Sequence, residues 1–359
     1  MKDIEALVRT NIQQLKSFAD VRVEWRGDVS LYLDANENSF GAPVTLPGIE
    51  ELHRYPDPLQ RQLKEKISRV KGVPPKNIFL GNGSDEAIDL LFRIFCEPGK
   101  DSVIICPPTY DMYERSGYIH DARIIEVPLL PGFDLDVVGI LEKSFSLSGD
   151  IGSAKLLFIS SPNNPTANSF HADDMELLIQ KFPGIVVMDE AYINYSKQKS
   201  CIRWLTEYDN LVVLQTFSKA WGMAALRLGM AFASETIIDY FNKVKPPYNI
   251  NAATQQLALA ALDNMAWVNE HIRRTVALRE ELIRQLQPLP FVEKIYPSDA
   301  NFILAKMNDA TAVYRYLADH AIIVCDRSRL QLCEGCLRIT IGTASDNESL
   351  ITTLKKYKA

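Results

Sequence analysis

No uninterrupted apolar run in the 359 residues approaches the ~20 needed to cross a bilayer as a helix. The opening Met1-Lys2-Asp3-Ile4-Glu5-Ala6 lacks the apolar core of a secretory leader, so a cytoplasmic location is expected. There is no long basic run, and the net charge is −6. That excludes nucleic acid and anionic membrane surfaces as expected partners. Internal repeats and low-complexity tracts are also missing. The six cysteines (Cys96, Cys106, Cys201, Cys325, Cys333 and Cys336) are scattered, as free thiols of a reducing compartment would be. Cys333 and Cys336 have CxxC spacing. No second CxxC or HxxxH pair completes a zinc site, so no metal is expected. A redox dithiol stays open, without a thioredoxin-like setting.

What is present points to a large core. At 47% hydrophobic, the chain suits two domains rather than one. Residues 1 to about 40 read as a helix and an irregular arm, with a short strand from Leu31 running into Asn38. A proline-rich turn, His53 to Pro58, precedes an amphipathic helix from about Leu59 to Val70. From Ile78 onwards, apolar strands alternate with helices. Strands are expected at 78–81, 102–106, 122–127, 155–160, 184–189, 211–216 and 228–233, and helices at 84–96, 110–118 and 172–181. Strands apolar throughout indicate a mostly parallel sheet covered on both faces. Pro246-Pro247 punctuates the chain. The glycine-free stretch 252–286 reads as one long helix. Short strands at 302–305, 322–325 and 337–341, mixed with helices, read as a smaller α+β domain. The expected division is an arm at 1–45, a large domain at 46–250, and a long helix with a small domain at 251–359.

Thr216 to Gly229 is the stretch around which the rest is arranged. It follows the buried strand Leu211 to Leu214 and places Lys219 among Ser218, Ala220 and Trp221. Taking a lysine out of water disfavours its charged form and frees the amine as a nucleophile or Schiff-base partner. Arg227, after a glycine-containing turn, adds a guanidinium suited to an anion. A surface lysine and a salt-bridged arginine are the plainer reading. Asp189 closes the apolar strand Ile185 to Met188, where open α/β sheets bind ligands. A carboxylate buried there requires a partner, unless it only caps the next loop. Gly81-Asn82-Gly83-Ser84-Asp85-Glu86 joins a strand to a helix, whose N-terminus favours an anion. Glu86 stands where a dinucleotide fingerprint needs glycine, which disfavours a nicotinamide cofactor. A plain helix cap at Ser84 or Asp85 is the alternative. Tyr110 could stack on a flat ligand or simply pack. Ser160 to Thr166, with two prolines and two asparagines, makes a turn in any case.

Taken together, and in this order, these stretches resemble the fold type I aminotransferases that use pyridoxal phosphate, and within them the histidinol-phosphate subfamily. The resemblance runs from about Leu31 to Thr343. It implies a large domain with a mostly parallel sheet and a smaller domain shared by the N-terminal arm and the C-terminal part. It implies that Lys219 forms the Schiff base with pyridoxal 5'-phosphate and shuttles the proton. The Ser84 and Asp85 backbone, Ser218 and Arg227 would hold the phosphate, and Tyr110 would stack on the ring. Asn164 would bond the ring's phenolic oxygen, with Tyr192 reaching the same atom, and Asp189 would pair with the pyridinium nitrogen. Tyr55 would reach into a partner subunit, implying a homodimer with shared sites. Asn36, Arg327 and Arg338 would bind substrate, with Arg338 taking the glutamate carboxylate and the substrate phosphate in turn. The implied reaction transfers an amino group between histidinol phosphate and 2-oxoglutarate. An aromatic amino acid aminotransferase, a threonine-phosphate decarboxylase on the same fold, and a non-catalytic binding protein are the alternatives. Two departures stand out. Ala167 replaces the glycine usual after Thr166. Cys325 replaces the first arginine of Val-Arg-Asp-Arg-Ser, which the subfamily sets against the substrate phosphate.

Overall fold

The computed structural model describes residues 31–32, 56–145 and 154–358. Asn36, Tyr55 and the proposed N-terminal helix lie outside them. A two-residue strand, Leu31–Tyr32 (β1), comes first. The central sheet then forms from Ile78–Asn82 (β2), Ser102–Ile105 (β3), Arg123–Glu126 (β4), Ala154–Ser160 (β5), Ile185–Asp189 (β6), Leu211–Thr216 (β7) and Leu228–Ala233 (β8). Its order is β2-β8-β7-β6-β5-β3-β4. All neighbours are parallel except β8, which runs antiparallel to both β2 and β7. The apolar runs seen in the sequence are these strands, and both faces are covered. Leu80, Ile104, Leu157, Met188 and Val213 pack on one side. Phe79, Val103, Phe158, Val187 and Leu214 pack on the other.

This topology decides where chemistry can occur. The carboxyl ends of β2, β3, β5, β6 and β7 share one edge with the start of β8. Loops leaving that edge meet over the sheet, as in other open α/β folds. Gly229 shows how tightly they meet. A Cβ there would sit 2.3 Å from both the Gly83 carbonyl carbon and the Ser84 nitrogen, so only glycine lets β8 lie against the loop after β2.

Beyond Val244 the expected single helix is two. Ala252–Asp263 and Met265–Leu286 meet at Asn264, whose φ of −102° and ψ of 33° leave the helical region. The Asn264 amide bonds the Ala260 carbonyl at 3.0 Å, the acceptor that its own N–H would use in a continuous helix. An asparagine competing with the backbone is a break that hydrophobic patterning does not reveal. The remaining strands are Val292–Ile295 (β9), Phe302–Met307 (β10), Ile322–Ile323 (β11), Cys325–Asp326 (β12) and Cys336–Thr340 (β13). An antiparallel sheet of order β12-β13-β10-β9 packs Ile303, Leu337 and Ile339 against Val313, Leu317 and Leu350 of two flanking helices. The expected strand 322–325 is divided. β11 pairs in parallel with β1, whereas β12 joins β13.

Candidate active site

At the end of β2 the helix Gly83–Phe95 begins, and its first turn points into the shared edge. Gly83 has a φ of +72° and a Cβ there would meet the Arg227 guanidinium at 2.6 Å, so the position requires glycine. Its N–H is taken by the Arg227 carbonyl at 2.8 Å. Glu86 turns back to accept from the Asn82 N–H at 2.5 Å. The following amides, Ser84 and Asp85, lie in a helical first turn, where the helix supplies no acceptor. Neither residue is the N-cap; Asn82 is. Arg227 adopts the left-handed conformation, φ 51°, which is strained for any residue but glycine. Its guanidinium lies 3.3 Å from the Asp85 carboxylate. Beside it, the Ser218 N–H donates to the Thr216 hydroxyl at 3.0 Å, which fixes the turn into Lys219. An anion at the helix start would meet backbone amides, a hydroxyl and a guanidinium at once.

The buried end of β6 carries the opposite charge. Asp189 is only 4% exposed. It accepts from the Tyr113 hydroxyl at 2.7 Å and from the Ala191 N–H at 3.0 Å. Burial pushes its carboxyl up to about 6, with Asp85 and Glu190 adding to the effect and the two hydrogen bonds opposing it. No ion pair reaches it among the described residues. A buried carboxylate with two donors and no cation lacks one partner, and a protonated ring nitrogen would supply it.

Between these two poles stand the other residues expected from the sequence. Half-buried Lys219 has its Nζ 5.6 Å from the centre of the Tyr192 ring. Tyr192 packs edge-on against Phe302, with ring centres 5.1 Å apart. The Tyr110 hydroxyl donates to Asp85 at 3.0 Å, and its ring meets Tyr113 edge-on. Burial and the Asp85 carboxylate push that hydroxyl well above the ordinary phenol range. Asn164 accepts from the Arg338 guanidinium at 2.5 Å, which lies 5.5 Å above the Phe302 ring. Arg338 is on β13 and buried, so a residue from the small sheet reaches the edge of the large one. Arg327 follows β12. Its N–H donates to the Cys336 carbonyl, and its charge is felt at the Cys333 thiol. Cys325 lies directly opposite Arg338 in the β12–β13 register. Paired residues of antiparallel strands face the same side, so Cys325 and Arg338 leave the small sheet on one face.

Cys333 and Cys336 are wholly buried at the two ends of a turn closed by the Cys336 N–H and the Cys333 carbonyl. Burial pushes their thiols up to about 12 and about 11, respectively, away from redox reactivity. Among the described residues no group of three or more histidine, cysteine or acidic side chains is arranged to hold a metal. No helix among them is long and apolar enough to cross a membrane.

Sequence reasoning missed Tyr113 as the partner of Asp189. No local signal pointed to it: Tyr113 sits in the first turn of the helix Met112–Ile119, which begins after Tyr110 rather than at it as expected. It also missed Glu86 as the clamp on the loop after β2, an acid one turn inside its own helix.

A family model described as "Aminotransferase class I and II" matches residues 34–354. The chain belongs to the class I and II aminotransferases. It is similar over its whole length to proteins named histidinol-phosphate aminotransferase. It is 49% identical over 354 residues to that of Cytophaga hutchinsonii, covering 99% of each chain. It is 45% identical over 358 residues to that of Parabacteroides distasonis, covering 100% of each. The structure of histidinol-phosphate aminotransferase from Sinorhizobium meliloti, in complex with pyridoxal-5'-phosphate, superimposes with a TM-score of 0.85 at 23% identity. It covers 97% of this chain and 96% of that one. At that identity the likeness establishes the fold, which is that of the fold type I enzymes.

Proposed function

We propose that this aminotransferase moves the amino group of L-histidinol phosphate to 2-oxoglutarate, giving imidazole acetol phosphate and glutamate, a step of histidine biosynthesis. The observation that carries the reading is the meeting of Lys219, Asp189 and the first turn of the helix after β2 at one sheet edge, in a chain 49% identical to a relative of that name. The residues fit pyridoxal 5'-phosphate, which when bound supplies an electron sink for the substrate's reacting carbon. Ser84, Asp85, Ser218 and Arg227 would hold its phosphate, and Tyr110 would lie against its ring. Asn164 and Tyr192 would bond the ring oxygen, and Asp189 the ring nitrogen. Lys219 would carry the proton to and from the reacting carbon. Arg338, with Asn36 and Arg327, would bind the substrate's anionic groups. The test is a substrate screen on cofactor-loaded protein. Histidinol phosphate, phenylalanine and threonine phosphate are offered with 2-oxoglutarate, and glutamate and carbon dioxide are followed separately. Glutamate formation chiefly from phenylalanine, or carbon dioxide from threonine phosphate, would replace the reading.

The proposal extends to assembly and place. The arm, 1–45, and the segments 46–250 and 251–359 would act as arm, large domain and small domain of a cytoplasmic homodimer. Tyr55 would complete the partner's site. Mixing Tyr55→Phe with Lys219→Ala subunits checks this. In a shared-site dimer each hybrid has one doubly altered site and one unaltered site, so wild-type cofactor affinity should reappear in part. Hybrids with none would confine Tyr55 to its own chain.

Cys325 gives a prediction about specificity. With Cys325 where the subfamily has an arginine, one guanidinium fewer would face the substrate dianion. Cys325→Arg should lower KM for histidinol phosphate roughly tenfold, if one charge-assisted pair of about 1.5 kcal/mol is restored. KM for glutamate should change much less. Unchanged kinetics with Cys325→Arg, alongside loss of phosphate-substrate activity in Arg327→Ala, would move the missing contact to Arg327.

A further inference from the structure

Asp189 and Glu190 are consecutive buried carboxylates on opposite faces of one strand end. Asp189 faces the side of Val187 and Tyr113. Glu190 continues the alternation onto the side of Met188 and Phe217. The two differ in what surrounds them. Asp189 has two donors, whereas Glu190, 2% exposed, has three from three places. The Ser200 hydroxyl donates to it at 2.5 Å, the Cys201 N–H at 2.6 Å and the Gln215 amide at 2.9 Å. Its own N–H donates to the Leu214 carbonyl at 2.8 Å, and its carbonyl accepts from Ile193 at 3.1 Å, opening the short helix that follows Tyr192. Lys71 faces it from the helix Arg61–Lys71, and the Cys201 thiol with Arg203 beside it from the turn Cys201–Trp204.

These bonds fall where the sheet stops holding itself together. The β6–β7 register ends at Asp189 and Leu214, and Thr216 pairs only with β8. Past that point, the ladder no longer fixes the distance between the loop bearing Tyr192 and the turn bearing Lys219. The Glu190 backbone and its side-chain bond to Gln215 continue the tie by one more residue. The Ser200 and Cys201 bonds fasten the far end of the Tyr192 loop to the same carboxylate.

We propose that Glu190 is a positioning residue for amino transfer: it touches neither cofactor nor substrate, but ties the segment carrying Asp189 and Tyr192 to the strand that delivers Lys219. The inference rests on the roles proposed for those three residues. Reacting groups held to within a fraction of an ångström are sensitive to such a tie, because misplacement by about 1 Å can cost on the order of a hundredfold in rate.

Substitutions separate the tie from the charge. Glutamine at 190 keeps an acceptor for the Cys201 N–H and turns an NH2 towards Gln215. The Gln215 carbonyl oxygen, buried and without a partner among the described residues, can rotate to accept it. Glu190→Gln therefore keeps the tie and removes the charge, Glu190→Ala removes both, and Gln215→Met cuts only the link to β7. In full-length, cofactor-loaded protein, Glu190→Ala should lower kcat about tenfold or more, with KM for the amino donor within about threefold. Gln215→Met should fall between it and wild type, and Glu190→Gln should recover most of the loss. Equilibrium dialysis of pyridoxal 5'-phosphate against cofactor-free protein should follow the same order. Glu190→Gln should also move the acid transition of Asp189 in cofactor-free protein to lower pH, since Glu190 is one of the charges raising it, with Asp85 the other and Tyr113 opposing. Wild-type kcat in both Glu190→Ala and Gln215→Met would overturn the proposal. So would a Glu190→Gln variant as impaired as Glu190→Ala, which would make charge rather than the tie responsible. If Glu190→Ala does not fold, the other two variants decide. Absence of amino transfer in the wild type would instead defeat the functional reading, leaving the dialysis and pH arms to judge Glu190 alone.

Discussion

Lys219→Ala should abolish turnover, with a loss of about 10⁴-fold or more, because one amine serves both as nucleophile and as proton carrier. Borohydride treatment of the cofactor-loaded wild type should bleach its yellow colour. Mass mapping should then find the cofactor on Lys219 and on no other lysine. The position of Lys219 supports this expectation. It follows β7 at the shared sheet edge, its Nζ sits 5.6 Å from the Tyr192 ring, and the preceding turn is fixed by Thr216 and Ser218. Binding should survive better than turnover, since Arg227, the helix start and Asp189 remain. Weakened cofactor affinity with near-normal turnover, or an adduct on Lys64 or Lys245, would remove Lys219 from the centre of the site.

The apolar strands were legible because a strand buried on both faces leaves little room for polar residues. Ile185 to Asp189 and Leu211 to Thr216 read directly from sequence, and so did the residues that leave their carboxyl ends. The loop after β2 was legible as a close-approach turn, because Gly81 and Gly83 announce a backbone that must come near something. Its cap was not, since the choice of Asn82 over Ser84 or Asp85 depends on Glu86 folding back from the helix. Contacts that span the chain were silent. Tyr113 lies 76 residues from Asp189, and Gln215 lies 25 from Glu190. Neither pair carries a local pattern, and each exists only after the sheet has brought β6 between β5 and β7. Cys325 combines both cases. Its identity was plain in the sequence, while its place opposite Arg338 required the register of β12 on β13.

Asp189→Asn should separate catalysis from stability and move them in opposite directions. The carboxylate that would hold a ring cation is replaced by a neutral amide of nearly the same shape. About 3 kcal/mol of transition-state stabilisation should go, roughly a hundredfold in kcat, the scale of removing one preorganised electrostatic group. The cofactor-free protein should gain. Burial raises the Asp189 carboxyl from 3.8 to about 6 in the fold, so the native state binds a proton more tightly than the unfolded chain. Its contribution to stability is therefore complete below 3.8, declines as pH rises through about 6, and is gone above that. The difference amounts to about 3 kcal/mol at neutral pH, at 1.36 kcal/mol per pKa unit. Asparagine does not titrate. Its carbonyl can accept from the Ala191 N–H, and its amide can donate to the Tyr113 oxygen, which turns from donor to acceptor. Melting of cofactor-free proteins from pH 3.5 to 8 should thus find the two nearly alike at the acid end, the gap about half open by pH 5, and the variant several degrees higher at pH 8. Addition of pyridoxal 5'-phosphate should reverse the order, because only the wild type gains a partner for a charge it has already desolvated. A variant less stable at pH 8, or one whose kcat is unaltered, would show that Asp189 is a structural acid with its needs met by Tyr113 and Ala191 alone.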